Sequence, residues 1–446
     1  MSTSFWKTRA AKLIRAAMLA SMGAGACLLP ALGSAQTMDV HTWQGIVKKT
    51  LPPGAGCFNA SYPSTQWQAV DCANPFAQTQ SVPESSRAQA QAISQLSNTG
   101  TKAGQRLSLL ANAQAISQLT NTGMVGNGYA ISEPSISYAE GSFLNVSGVT
   151  SIKDDSAGDN MYSLQLNTNW FRVPYGTASC DNSNGCTGWV QFVLQNYPTD
   201  ALISIWYWLD GVSQCPNNLK WNGGECVYTQ VQTIPQPLGN INDQVTLSGQ
   251  TANGIDTVIL MMGGQAYSLA TSSILTAQFS QSWSQAQFNI LGFGDGSAVS
   301  FNNGSSFVVN ISGSDGGGYS HLSNCYNYGD TGEQNTLNHN SPCCAYGGSK
   351  PSIAFMEGTS TTNWASCTDL GDNTITPVVT PTGSGTISPY TAAQVPNGAV
   401  ATFTIAPATG NQIISVTGCG GTLVGNIYTT APANGDCTVT ATFTGN

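Results

Sequence analysis

Residues 188–210 read GWVQFVLQNYPTDALISIWYWLD, two alternating stretches in tandem. In the first, Trp189, Gln191 and Gln195 fall on one face of an extended chain and Val190, Phe192 and Leu194 on the other. In the second, Ser204, Trp206, Trp208 and Asp210 oppose Ile203, Ile205, Tyr207 and Leu209. The pattern recurs at 284–291, where Gln285, Gln287 and Asn289 oppose Ala286, Phe288 and Ile290. Period-two alternation of this kind marks strands with one buried face. If the three strands share a sheet, amides and indoles line its non-core face, which is then either a ligand groove or the solvated side of a sandwich. Two tryptophans beside amides favour a groove, because an indole stacks while an amide supplies both a donor and an acceptor.

The same period holds from about 137 to 358. Segments 143–146, 162–166, 201–209, 245–247, 257–262, 286–291 and 306–311 read as strands between Gly-, Asn- and Asp-rich turns. Many short strands predict a mainly β fold built as a two-sheet β-sandwich over 137–373. Before it, 36–136 forms a Cys-containing lead-in with a 23-residue duplication, AQAISQLSNTG at 90–100 and AQAISQLTNTG at 113–123. Ile93, Leu96, Leu107, Leu110, Ile116 and Leu119 recur at near-helical spacing, so a short helical insertion is expected there. After it, the Thr/Pro-rich stretch 374–382 reads as a linker to a small terminal β module at 383–446.

The first 35 residues carry an export signal. Lys7, Arg9, Lys12 and Arg15 precede an apolar run, and Gly33-Ser34-Ala35 supplies small residues for cleavage. Lipidation at Cys27 is the competing reading. No later stretch has the ~18 continuous apolar residues of a membrane span. The chain holds 13 Lys+Arg and 22 Asp+Glu, and the signal takes four of the bases and none of the acids, so the mature charge is 9 − 22 = −13. That balance excludes nucleic acid as a partner. Charged residues make up 8% of the chain, against roughly 25% in ordinary domains, so polar uncharged side chains do the solvating.

Twelve of the 13 cysteines follow the signal, an even number for an oxidising compartment. Local spacing pairs Cys57 with Cys72, Cys180 with Cys186, Cys215 with Cys226 and Cys419 with Cys437. Cys325, Cys343, Cys344 and Cys367 share two more bridges of open connectivity. With only His41, His321 and His339, and no two-residue cysteine spacing, no metal or other cofactor is expected. The acids Asp154, Asp155 and Asp159 lack an EF-hand pattern and read as a turn.

Residues 188–210, followed by WSQAQFNILGFGDGSAVSFNNGSSFVV at 283–309, resemble the secreted glutamic peptidases, or eqolisins. The central segment also resembles a family of secreted bacterial proteins of unassigned activity. The eqolisin resemblance implies a concanavalin-like sandwich in which a glutamine and a glutamate face each other across a concave groove. Gln191 matches the glutamine position and Gln287, in Ala286-Gln287-Phe288, the glutamate position. In such a pair the glutamate is the general base on water and the glutamine steadies the oxyanion, and Gln287 cannot accept a proton. With the strand faces as read above, the expected protein binds an extended peptide or a glycan through Trp189, Gln195, Trp206, Trp208, Asp210, Gln285 and Asn289, with peptidase activity impaired because Gln287 replaces the expected glutamate. An active acid endopeptidase would need another carboxylate, for which Glu357 and Asp210 are the candidates. The terminal segment 383–446 resembles the internalin-type B-repeats of bacterial surface proteins, which implies a spacer or adhesion element and keeps a non-enzymatic adhesin or lectin in view.

Overall fold

The computed structural model describes residues 38, 40–72 and 128–444, apart from 217–218, 223, 239–240, 242–244, 263, 295, 315–323, 328–330, 340–341, 347–350, 361–366, 368–372, 389–391 and 396–397. The signal-like segment, the duplication at 90–123 and His321 lie outside these residues. Helix α1 (Val40–Lys49) opens the described chain and α2 (Thr276–Ser282) interrupts the strands. In chain order the first strands are β1 (Cys57–Ser61), β2 (Gln68–Val70), β3 (Tyr129–Ser132), β4 (Tyr138–Ser147), β5 (Ile152–Asp154), β6 (Gly158–Asp159), β7 (Tyr162–Thr168) and β8 (Phe171–Val173). There follow β9 (Cys186–Asn196), β10 (Ala201–Asp210), β11 (Lys220–Asn222), β12 (Glu225–Ile234), β13 (Thr246–Ala252), β14 (Ile255–Met262) and β15 (Gln265–Thr271). The central part closes with β16 (Gln285–Leu291), β17 (Ala298–Phe301), β18 (Ser306–Ser314), β19 (Asn324–Asn327), β20 (Gln334–Asn335), β21 (Cys344–Tyr346) and β22 (Ser352–Gly358).

These strands build the mainly β sandwich that the alternation predicts. One sheet runs β2-β1-β15-β14-β13-β4-β18-β22-β21, and the other runs β11-β12-β10-β9-β7-β16-β3-β19 with β8 beside β9. Their inner faces meet in a single core. Val190, Phe192, Leu194, Ile203, Ile205, Tyr207, Phe288 and Ile290 of the second sheet pack there with Phe143, Leu247, Val258, Leu260, Phe307 and Ile311 of the first. Two glycines set how closely the sheets approach. A Cβ on Gly141 of β4 would stand 1.9 Å from Cγ of Phe288, and one on Gly249 of β13 would stand 2.3 Å from Cδ2 of Phe192. Each phenylalanine ring therefore seats directly on the backbone of the opposite sheet.

The outer face of the first sheet is covered in part by α1, whose Trp43 and Val47 pack on Ala60, Ile259, Met261 and Ala266. The Trp43 indole donates to the carbonyl of Ser64 at 2.6 Å, which ties the helix to the turn after β1. No helix among the described residues is long and apolar enough to cross a membrane.

The terminal segment adds β23 (Asn373–Thr380), β24 (Gly385–Ser388), β25 (Ala393–Val395), β26 (Thr402–Pro407), β27 (Ile413–Thr417), β28 (Thr422–Val424), β29 (Ile427–Thr429) and β30 (Cys437–Phe443). They form two four-stranded sheets around Ile375, Phe403, Ile405, Tyr428, Val439 and Phe443. The stretch expected as a Thr/Pro linker is thus itself a strand, β23, paired in parallel with β30. Its Thr and Val residues are good strand formers, and Pro377 lies past the residues that β25 pairs, where no ladder donor is required. The module also touches the rest of the chain. A Cβ on Gly45 of α1 would come within 3.1 Å of Ile427, and one on Gly398 within 3.1 Å of the Leu144 carbonyl.

All four locally assigned disulfides form, and the remaining cysteines pair as Cys325–Cys343 and Cys344–Cys367. Six bridges are the usage of an oxidising, extracytoplasmic compartment. Thiol titration of the denatured, unreduced chain lacking residues 1–35 should therefore find no free thiol, and two reactive thiols per chain would refute the pairing.

Candidate functional site

The register of the second sheet places the sequence-derived residues on one surface. Trp206 of β10 lies opposite Gln191 of β9, Gln191 opposite Asn167 of β7, and Asn167 opposite Gln287 of β16. One step along, Ser204, Val193, Gln165 and Asn289 line up across the same four strands. Gln191 and Gln287 therefore flank Asn167, with their backbones two strand spacings or about 9–10 Å apart.

This surface is not a solvated face. Trp189 and Trp208 are each 1% exposed, Trp206 4%, and Gln165, Asn167, Gln191, Gln195, Gln287 and Asn289 no more than 1%. The expectation of exposed indoles is thus replaced by buried ones, because alternation separates the two faces of a strand and carries no information about what lies over the outer one. Gln285 is half-buried. The tryptophans form a continuous row: Trp170 stacks on Trp189 at 5.2 Å, Trp189 lies 6.3 Å from Trp208, and Trp208 stacks on Trp206 at 5.9 Å.

Hydrogen bonds join the row to the amides. The Trp208 indole donates to Oε1 of Gln191 at 2.7 Å. Gln191 Nε2 donates to Oε1 of Gln165 and to Oδ1 of Asn167, both at 3.1 Å. Gln165 Nε2 donates to the Ser163 hydroxyl at 3.0 Å and to Oε2 of Glu333 at 3.4 Å. Glu333 also accepts from the Thr331 hydroxyl and from the Gly296 N–H. Its carboxyl is fully buried, and burial raises its pKa against the opposing pull of these donors. Gln195 sits apart and donates to the carbonyl of Phe293 at 3.2 Å.

Glu357, the carboxylate singled out in the sequence, belongs to a different cluster. It stands on β22 of the first sheet with the alternation of Ile353 and Phe355, both core residues. Asn289 Nδ2 donates to its Oε2 at 3.0 Å and Asn335 Nδ2 to its Oε1 at 3.5 Å. The orientation of these amides is fixed by the N–H groups of Ile290 and Leu337, which occupy their Oδ1 atoms. His339 Nε2 lies 3.4 Å from Oε2 of Glu357. Burial lifts the Glu357 carboxyl to about 8 in spite of the amide donors, and it lowers the His339 imidazole to about 4. Between those values the contact joins a carboxylic acid to a neutral imidazole and is no ion pair. Asp210 is half-buried and closes the turn after β10 by accepting the Gly211 N–H at 2.6 Å.

Glu333 and Asp256 are buried acids that escape the sequence reading. Glu333 lies in Thr331-Gly332-Glu333-Gln334-Asn335-Thr336-Leu337, where every second residue is buried, a period-two signal too short to stand out. Asp256 interrupts the apolar run of β14 and is fully buried between the sheets, where Tyr207 Oη donates to it at 2.6 Å and Thr276 Oγ1 at 2.9 Å. An acid inside such a strand was a legible sign. Asp154, read as part of a turn, is buried and accepts from the Phe293 N–H and the Ser297 hydroxyl as well as from its own turn. Among the described residues no group of three or more His, Cys, Asp or Glu side chains is arranged to hold a metal.

The chain matches no family model and no curated protein.

Proposed function

We propose that this is an exported, glutamic-peptidase-like β-sandwich protein that holds an extended peptide against the indole and amide face of its second sheet without cleaving it. The observation that carries this reading is the state of Gln191. Both of its N–H groups are donated to neutral amides and its carbonyl is taken by Trp208, so Gln191 is held in one orientation on the face and an oxyanion would have to take the place of Gln165 or Asn167 as its acceptor. Position 287 contributes an amide and no base. A buried polar face of this extent is costly to hold for packing alone. These amides are buried and paired within the protein, so a peptide would reach them by displacing what covers the face and exchanging with those partners, as side-chain amides can for the alternating donors and acceptors of an extended chain. The Trp170 indole N–H, 3% exposed and lacking a protein acceptor, offers a further donor at one end of the indole row.

Gln287→Glu is the informative change. It restores a carboxylate opposite Asn167 with almost no change in size, and the variant should gain cleavage of an unfolded protein at acid pH. Gln191→Ala in that background should abolish the gain. The wild type should retain the same peptide uncut. Wild-type cleavage that is lost in Glu333→Gln would replace this reading with an acid endopeptidase that takes its carboxylate from the 331–335 segment. Binding to a glycan array with no peptide retention would make the protein a lectin or adhesin.

A further inference from the structure

Glu333 has a role in this site that its sequence position does not suggest. The carboxyl is fully buried, and no cation among the described residues pairs with it. Such a group is costly to retain for packing. Its neutral donors lead in one direction, from Glu333 to Gln165, from Gln165 to Gln191, and from Gln191 to Trp208. Every link is directional. The Glu333 carboxyl accepts at Oε2 from the amino end of Gln165. That turns the carbonyl of Gln165 towards the amino end of Gln191 on β9, which donates to it at 3.1 Å beside Asn167 Nδ2 at 3.3 Å. An indole only donates, so the chain closes on Trp208 with the Gln191 carbonyl facing it.

We propose that Glu333 is the positioning residue of this face: by presenting an acceptor to Gln165 it holds the Gln191 amide in one orientation, with its N–H groups over β7 and its carbonyl on Trp208. The functional sense of this role rests on the peptide-holding reading, but the orientation itself does not. A relay of three hydrogen bonds between a loop carboxyl and a strand indole fixes which part of the face donates and which accepts. An extended ligand would then be read in one direction only.

The relay is tested in the unliganded full chain by the indole N–H resonances of the tryptophans, with Trp208 assigned by its loss in Trp208→Phe. Glu333→Leu removes the acceptor, and Gln165→Met cuts the relay in its middle at nearly constant side-chain length. In both, the Trp208 indole proton should shift and exchange with solvent about tenfold faster, the scale of losing one buried hydrogen bond. Glu333→Gln keeps a carbonyl in place and should leave Trp208 close to wild type. Unchanged Trp208 exchange in the folded Leu or Met variant overturns the proposal, as does a Gln variant disturbed as much as the Leu variant. Peptide retention by the same proteins is scored separately. A Trp208 response without any peptide binding by the wild type leaves the relay standing and removes the peptide reading, whereas peptide binding with no Trp208 response does the reverse.

Discussion

Raising the pH from 4 to 8 should destabilise the folded chain. Asp256 and Glu357 are both fully buried, and burial lifts their carboxyls to about 6 and about 8. Unfolded, each titrates near 4. A raised folded pKa means that the native state holds the proton more tightly, so this stability is complete below the unfolded value and disappears as the pH climbs through the folded one. Asp256 accounts for the loss between about 4 and 6, and Glu357 for a loss that continues to about 8. His339 acts in the opposite sense between about 4 and 6.5, because its folded value is lowered. The net change is on the order of 4 kcal/mol. Denaturant midpoints at pH 4, 6 and 8 should fall in that order. Asp256→Asn should flatten the first step alone and Glu357→Gln both, which separates these two sites from the general repulsion of an acidic chain. A midpoint that rises towards pH 8 would contradict the assignment of both acids.

Both acids sit in clusters that join distant segments, and this explains how differently the fold and the site could be read from sequence. The strands that carry Gln191, Trp206 and Gln287 were legible because alternation is local: a residue and its second neighbour suffice to define a face. The cysteine pairs separated by 6 to 18 residues were legible for a similar reason. Asn167 was not, because its place between Gln191 and Gln287 depends on β7 lying between β9 and β16, and strand order is a non-local property. Glu333 reaches Gln165 across 168 residues of chain and Glu357 reaches Asn289 across 68. Nothing in the immediate sequence of either acid records its partner. The linker reading of 374–382 failed for a related reason, since Thr, Val and Pro suit an exposed strand as well as a tether, and pairing with β30 decides between them.

Replacing Gly141 or Gly249 with alanine should cost more than any conservative change on the functional face. Neither residue needs an unusual backbone. What each supplies is an absent side chain, since a Cβ would stand 1.9 Å from Phe288 in one case and 2.3 Å from Phe192 in the other. Those rings belong to buried strands in the middle of the second sheet, so they cannot withdraw without moving backbone, and overpacking of this kind costs about 3 kcal/mol. Gly54, with nothing near its Cβ position, is the control and should tolerate alanine within about 0.5 kcal/mol. Pairing Gly141→Ala with Phe288→Leu should recover part of the loss, a coupling that a double-mutant cycle measures directly. Additive effects would mean that the two do not meet. The same contacts bear on the site, because Phe192 adjoins Gln191 in β9 and Phe288 adjoins Gln287 in β16. A ring pushed off its glycine carries its strand outward and changes the separation of the two amides across Asn167. Gly141→Ala in the Gln287→Glu background should therefore remove the gained cleavage at a temperature where the protein is still folded, and retention of full activity there would show that the face is positioned independently of the core beneath it.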